Sequence, residues 1–222
     1  MKQVLTFLNE LQKNNSKEWF DAHRSHYESV RLTFSSFVQQ LIDGLSVLDP
    51  SVRGLRVQDC MFRLNRDLRF SPDKRPYKTH MSAFIAPFGR KSGYAGYYFH
   101  LEASDGRYLM GHQLDSGIYG PDPAILKSVR EAILMDGAGF EAVVHKAGGF
   151  QLETEASLKR VPRGFPVDSP WAEYLKMRHF ILNKPLREEA VLADDLLEQT
   201  MTSFAKTVEF NNWLNKAVAY AR

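Results

Sequence analysis

The chain has 222 residues and a formal net charge of +3, and its 44% hydrophobic and 25% charged residues are typical of a globular protein that buries a core. A single cysteine, Cys60, excludes an intramolecular disulfide and favours a reducing compartment. Because no stretch approaches about 18 consecutive apolar residues, the sequence predicts no transmembrane helix and no membrane partner. We therefore expect a soluble, cytoplasmic protein.

Helices are predicted for residues 1–48. Apolar side chains at helical spacing within residues 2–12 indicate a first helix. Asn15 begins a sequence that resembles a capping box, so it is predicted to be the N-cap of a second helix. One apolar stripe follows this second helix until Gly44 and Asp49–Pro50 end it.

The segment from Arg63 to Lys91 is unusually basic. Its eight Lys or Arg and two Asp give it a charge of +6, although the whole chain carries only +3. Alternating apolar and polar residues from Phe62 to Phe70 predict a half-buried strand. Arg66 falls on the apolar side of this strand, so we predict that a carboxylate or a bound anion pairs with it. The local charge points to an anionic partner.

Two further strands are predicted at residues 79–86 and 94–103. In the second of them the odd positions are apolar, whereas the even positions include Tyr98, His100 and Glu102. Because alternate strand residues share a face, these three side chains are expected on one polar face. They form the best group for acid–base chemistry in the sequence.

Asp105–Gly106 is a strong signal for a type I′ hairpin, in which Ser104 pairs with Arg107. This register places His112 opposite Phe99 and leads into a fourth strand. The sheet is therefore expected to be an antiparallel meander of about four strands within residues 60–115.

Residues 120–222 are predicted to be helical, with an irregular segment at 148–169. Asp122–Pro123 supplies the N-cap and the first residue of a helix. We expect one α+β domain over residues 1–222, in which the meander sheet packs against N-terminal and C-terminal helices.

Four motifs resemble a conserved family whose function is not known, the domain of unknown function numbered 2461. In chain order they are Asn14–Phe20, Phe62–His80, Gly93–Glu102 and Leu158–Phe165. The resemblance spans nearly the whole chain. It implies membership of that family, but it implies no activity.

The basic segment supports two interpretations. In the first, arginine forks and lysine charges form a site for phosphate or carboxylate groups. The residues of this candidate site are Arg63, Arg66, Arg69, Lys74 and Lys78. In the second, Asp67 and Asp73 neutralise two arginines in an internal network and the other cations are solvated.

A metal site would need His80, His100, Glu102 and His112 to converge. The predicted hairpin register places His112 on the opposite face from His100 and Glu102, so the sequence predicts no metal. It identifies no cofactor.

Three functions remain open from the sequence. The first is binding of a phosphorylated or carboxylated small molecule in a basic cleft, with His100 and Glu102 as acid and base if the protein is an enzyme. The second is a nucleic-acid-associated module that uses the basic strand and the tyrosines as stacking surfaces. The third is an interaction scaffold without a ligand.

Overall fold

The computed structural model of the protein describes residues 1–69, 72–106 and 108–222. The helices are α1 (Lys2–Lys13), α2 (Lys17–Ala22), α3 (Arg24–Leu48), α4 (Val57–Cys60), α5 (Pro123–Lys146), α6 (Ala172–Leu175), α7 (Glu188–Leu192), α8 (Leu196–Ala205) and α9 (Val208–Tyr220). The strands are β1 (His80–Ile85), β2 (Gly96–Glu102), β3 (His112–Ile118), β4 (Gln151–Leu152) and β5 (Phe180–Leu186). A short 3-10 helix lies at Pro50–Val52.

The strands form one antiparallel sheet in the order β1-β2-β3-β5-β4. The predicted α+β class is confirmed, and β1, β2 and β3 form the expected meander. The sheet has five strands in the described part of the chain, because β5 adds to β3 and β4 covers β5. The sequence analysis missed both: β4 has two residues, and β5 contains Lys184 and Pro185, which weaken a strand pattern.

The helices pack on the apolar side of the sheet. The odd positions of β2 face them as predicted, and the ring of Phe99 lies 4.8 Å from that of Phe37 in α3. Farther along the sheet, Phe140 of α5 packs against Phe180 and Phe210. Each fully buried phenylalanine contributes about 1.5–3 kcal/mol, so these contacts hold the helices to the sheet. None of the helices within the described ranges is long and apolar enough to cross a membrane.

The predicted strand from Phe62 to Phe70 is wrong. Within residues 61–69 the described chain makes two isolated bridges, one between Met61 and Ala83 and one between Asn65 and Tyr77. Residues 70 and 71 lie outside the described part of the chain, so the end of the predicted strand is not described.

This segment folds back on itself. The N–H of Arg66 donates to the carbonyl of Pro76, and the N–H of Lys78 donates to the carbonyl of Leu64. Proline at residues 72 and 76 removes donors that a longer ladder would need. Leu64 is buried and Arg66 is half-buried between exposed neighbours, so the segment imitates the alternation of a sheet strand.

The predicted two-residue hairpin at Asp105–Gly106 is also wrong. β2 ends at Glu102 and β3 begins at His112, so their connection is longer than a two-residue turn, and Gly106 does not adopt the positive φ that a type I′ turn requires. His100 pairs with Gln113, two residues farther along than predicted. The predicted Ser104–Arg107 pair lies outside the described residues, since residue 107 is not described.

The start of the second helix lies one residue later than predicted. Ser16 is the N-cap, and its Oγ accepts a hydrogen bond from the N–H of Trp19 at 3.2 Å. Asn15 instead exchanges two hydrogen bonds with the backbone of Tyr77, at 2.9 and 3.1 Å. The expected single helix is divided at His23 into α2 and α3.

Two other helix signals had different outcomes. Gly44 does not end α3, which continues to Leu48. A Cβ at this position would lie 2.8 Å from Cε, the flexible end of the Met201 side chain in α8. Asp122 caps α5 as predicted, because its Oδ1 accepts from two backbone N–H groups of the first turn.

Candidate functional site

The other side of the sheet carries polar residues. In the β1–β2 pair, His80 lies opposite Glu102 and Ser82 lies opposite His100. Residues directly opposite each other in an antiparallel pair share a face, so one set of side chains crosses four strands. We call this set the polar face; its members are His80, Ser82, Tyr98, His100, Glu102, Gln113, Asp115 and Asn183.

Three members of the polar face form a buried triad, which consists of His80, His100 and Glu102. The residues are almost fully buried: the exposed fraction is 7% for His80 and 0% for His100 and Glu102. One nitrogen of each imidazole and one oxygen of the carboxylate all lie within 4.8 Å of one another. The His100 Nε2 to Glu102 Oε2 distance is 3.5 Å.

Glu102 organises the loop after β2. Its Oε1 accepts from the N–H of Tyr108 at 2.7 Å, and its Oε2 accepts from the N–H groups of Leu109 at 3.0 Å and Gly111 at 3.4 Å. Burial raises the pKa of this carboxyl, but the interactions with His100 and with these N–H groups outweigh burial and lower the pKa to about 2. These bonds explain why a longer loop replaces the predicted tight turn.

His100 is oriented by one partner. Its Nδ1 lies 2.9 Å from the hydroxyl oxygen of Tyr98. Its Nε2 is buried and has no hydrogen-bond partner within the described part of the chain. A buried polar atom without a partner costs about 1–3 kcal/mol, so this nitrogen requires an explanation.

A groove of about 890 Å³ opens beside the triad. His80, Lys78 and Tyr108 line it, and the ring of Tyr108 stacks on that of His80 at 4.4 Å. Burial, followed by the neighbouring His100 and Lys78, lowers the pKa of His80 to about 3. The volume is within the range of about 300–1,000 Å³ that small-molecule pockets occupy.

Arg66 has the carboxylate partner that the sequence predicts. Its Nη1 lies 2.7 Å from Oδ2 of Asp73, and its side chain is 23% exposed. Asp73 also pairs with Arg75 at 2.7 Å. Hydrogen bonds from Arg75 and then Arg66 hold the pKa of Asp73 well below its usual range. This part of the basic segment therefore resembles the internal network of the second interpretation.

Two other predicted site residues lie apart from the groove. Arg69 is exposed and pairs with Asp67 at 2.7 Å. Lys74 is also exposed, and its Nζ lies 3.4 Å from the carbonyl oxygen of Leu68. Both residues remain predictions as ligand contacts. Of the five predicted ligand residues, Arg66 and Lys78 line the groove, whereas Arg63, Arg69 and Lys74 do not.

Lys78 and Arg90 lie over the ring of Phe62, and the charge of Arg63 acts on Lys78; we call these three cations the basic cluster. Lys78 Nζ lies 5.5 Å and Arg90 Cζ 5.8 Å from the centroid of that ring. None of the three cations forms an ion pair with a carboxylate among residues 1–69, 72–106 and 108–222. Burial, then the charges of Arg63 and Arg90, lower the pKa of Lys78.

Residues 3–213 match the family model described as a conserved hypothetical protein, DUF2461. The chain belongs to the DUF2461 family. No curated protein and no solved structure matches the chain significantly. The resemblance that four sequence motifs carried is thus confirmed over nearly the whole chain, and the functional argument depends on the site itself.

The sequence analysis of this DUF2461 protein missed Asp115. The carboxylate accepts from Asn183 Nδ2 at 2.6 Å and from Gln113 Nε2 at 2.7 Å. Burial raises its pKa to about 6 despite these hydrogen bonds. An aspartate in the middle of a strand is uncommon, and that was the signal in the sequence. Arg90 was counted in the basic segment but was not assigned to the site.

His112 lies on the opposite face of the DUF2461 sheet from His100, as predicted. Its Nδ1 accepts a hydrogen bond from the N–H of Glu102 at 3.1 Å. The structure brings Tyr98, His100 and Glu102 together, but their assignment to acid–base chemistry remains a prediction. A carboxyl with a pKa of about 2 is a weak base at neutral pH, which favours a different role for Glu102.

Proposed function

We propose that this DUF2461 protein binds a phosphorylated or carboxylated small molecule in the groove, with its anionic group held by the basic cluster of Arg63, Lys78 and Arg90. The observation that carries the proposal is Lys78. Its ammonium group is half-buried, it lines the groove, and the charged groups that act on it most strongly are two guanidiniums.

Such a cluster is unfavourable without an anion. Burial removes water from the ammonium group, and the like charges of Arg63 and Arg90 add repulsion. A phosphate or carboxylate placed among the three cations would replace both costs with charge-assisted hydrogen bonds. Perturbed ionisable groups beside a cavity are a recognised mark of binding sites.

The geometry favours a small molecule over a nucleic acid. Tyr97 is 1% exposed, so its ring offers no stacking surface. Arg66, Arg69 and Arg75 are held by carboxylates. The cations left for a phosphate chain are therefore few and close together, which fits one anionic group.

The proposal covers binding and does not extend to catalysis, since His100 and Glu102 are fully buried. We also propose a cytoplasmic location. Cys60 is a buried free thiol, and burial raises its pKa to about 11. A protonated, buried thiol of this kind persists in a reducing compartment.

Calorimetric titration with pyrophosphate and with citrate tests the proposal. The wild-type protein is expected to bind at least one of them at a single site. Lys78→Met keeps the length of the side chain but removes its charge. It should weaken binding at least about tenfold, because a hydrogen bond to a charged group contributes about 1.5–3 kcal/mol.

Lys91→Met is the matched control, since Lys91 is an exposed lysine of the same basic segment. It should bind like the wild type. Equal binding by Lys78→Met and the wild type, or no binding of either anion, would contradict the proposal. A shallow salt dependence is expected for one small anion, whereas a steep dependence with an oligonucleotide would favour the nucleic-acid module.

A further inference from the structure

We propose that His80, His100 and Glu102 bind a divalent transition-metal ion such as Zn²⁺ at the inner end of the groove. This site is separate from the basic cluster, which supplies none of its ligands. The predicted register excluded a metal site that includes His112, and His112 does lie on the other face. The pairing of β1 with β2 supplies His80 in its place.

The donor set and its spacing suit such an ion. Two imidazole nitrogens and one carboxylate oxygen are ligands of Zn²⁺ and of other late first-row metals rather than of Ca²⁺ or Mg²⁺. Ligand atoms at about 2.0–2.1 Å from one tetrahedral ion lie roughly 3.3 Å apart. The His100–Glu102 distance of 3.5 Å is close to that value. The third donor, from His80, lies within 4.8 Å of both and borders the groove.

The unpartnered nitrogen of His100 is an independent observation. Its Nε2 is fully buried, points toward Glu102 and lacks a hydrogen-bond partner in the described chain. If Nδ1 donates to the hydroxyl oxygen of Tyr98, then Nε2 presents a lone pair to the carboxylate. A divalent cation between the two atoms would occupy the position of the proton that lies there when His100 adopts its other tautomer. Tyr98 would then be a positioning residue that orients a metal ligand through its other ring nitrogen.

The hydrogen bonds of Glu102 to its loop are compatible with this role. Oε1 accepts one backbone N–H group, and Oε2 accepts two, the longer at 3.4 Å. At 3.4 Å the contact from Gly111 is longer than an ordinary N–H···O hydrogen bond of about 2.7–3.2 Å, so Oε2 keeps lone-pair density for an ion. His80 lines the groove and provides the path of entry, and open coordination positions would face that space.

The test uses the full chain, stripped of metal with a chelator and then dialysed. Co²⁺ is titrated by its visible absorption and Zn²⁺ by calorimetry. The wild-type protein is expected to bind one ion per chain. His80→Asn and His100→Asn should each weaken binding at least tenfold, and Tyr98→Phe should weaken it about tenfold by releasing the ring of His100.

His145→Asn is the matched control, because it changes an exposed histidine in the last turn of α5 that is not part of the polar face. It should bind Co²⁺ like the wild type. Circular dichroism checks that each variant is folded. His80→Asn is expected to disturb folding least, because His80 lies at the edge of the groove. No saturable binding by the wild type, or equal binding by His80→Asn, His100→Asn and the wild type, would overturn the proposal.

The two proposals fail separately. Lys78→Met should bind Co²⁺ normally, and His100→Asn, whose side chain does not line the groove, should bind pyrophosphate or citrate normally in the presence of a chelator. Loss of Co²⁺ binding in Lys78→Met would overturn the assignment of the ligands to the buried triad alone.

Discussion

Asp115 shows how a single side chain of the polar face can be tested. Its pKa of about 6 lies above the ordinary value of 3.8 because burial disfavours the carboxylate. A carboxyl with a raised folded pKa favours the folded state fully below pH 3.8, and this contribution is lost as pH rises through about 6.

We therefore expect the stability of Asp115→Asn to rise relative to the wild type between pH 4 and pH 7, because asparagine does not titrate. The rise should reach about 2–3 kcal/mol in the free energy of unfolding, measured with urea across that range. Leu114→Val is the control, since it changes a buried neighbour without changing any titrating group. Its difference from the wild type should be constant with pH. A constant difference for Asp115→Asn as well would show that the pKa is not raised.

At the scale of elements, the connection between β2 and β3 depends on one carboxylate. Glu102 accepts three backbone N–H groups of this loop. Gly106 is required for a different reason than a hairpin turn, because a Cβ at this position would overlap the side chain of Glu102. The close approach of Glu102 therefore explains the glycine at position 106, whereas the hairpin turn predicted from Asp–Gly does not form.

Glu102→Gln should destabilise the protein by about 2–4 kcal/mol, because a neutral amide has one acceptor oxygen for three N–H groups. Urea unfolding in the presence of a chelator measures this without any contribution from metal. Hydrogen exchange at Tyr108 and Leu109 should accelerate. The exposed Glu131→Gln is the control and should change stability by less than about 0.5 kcal/mol. A stable Glu102→Gln with slow exchange in the loop would contradict this role.

Local patterns predicted the elements whose residues act within their own segment. The cap at Asp122 and the alternation of β2 needed no distant partner, and both are confirmed. The strand predicted at residues 62–70 was wrong because the described segment 62–69 folds back on residues 76–78. It buries Leu64 and Arg66 with the same period as a sheet strand. The predicted register of β2 and β3 was wrong because the connection between them depends on Glu102, a side chain outside the predicted turn.

At the scale of the whole molecule, the sheet lies between the hydrophobic core, which stabilises the fold, and the candidate site. The helices and their aromatic residues cover one side, whereas the polar face and the groove lie on the other. The sequence placed Tyr98, His100 and Glu102 together because they alternate on one strand. It did not place His80 beside them, because that contact depends on the register between β1 and β2.

The basic cluster also depends on tertiary contacts that the sequence pattern does not show. All three cations lie in the basic segment of residues 63–91, but Arg90 is distant from the other two along the chain. The fold places it, and its Nη1 donates a hydrogen bond to the carbonyl oxygen of Gln58. The net charge of residues 63–91 therefore identified the basic segment. Tertiary structure determines which of its cations form ion pairs with carboxylates.

A crystal structure of the protein soaked in tungstate, a strongly scattering mimic of phosphate, tests the central claim most directly. The account predicts an anomalous peak within hydrogen-bond distance of Lys78 Nζ, with a second contact from Arg63 or Arg90. Lys78→Met crystals soaked in parallel should lose that peak. A groove without a peak at saturating tungstate, or anions bound only at other surfaces, would contradict the proposal that the basic cluster is an anion site.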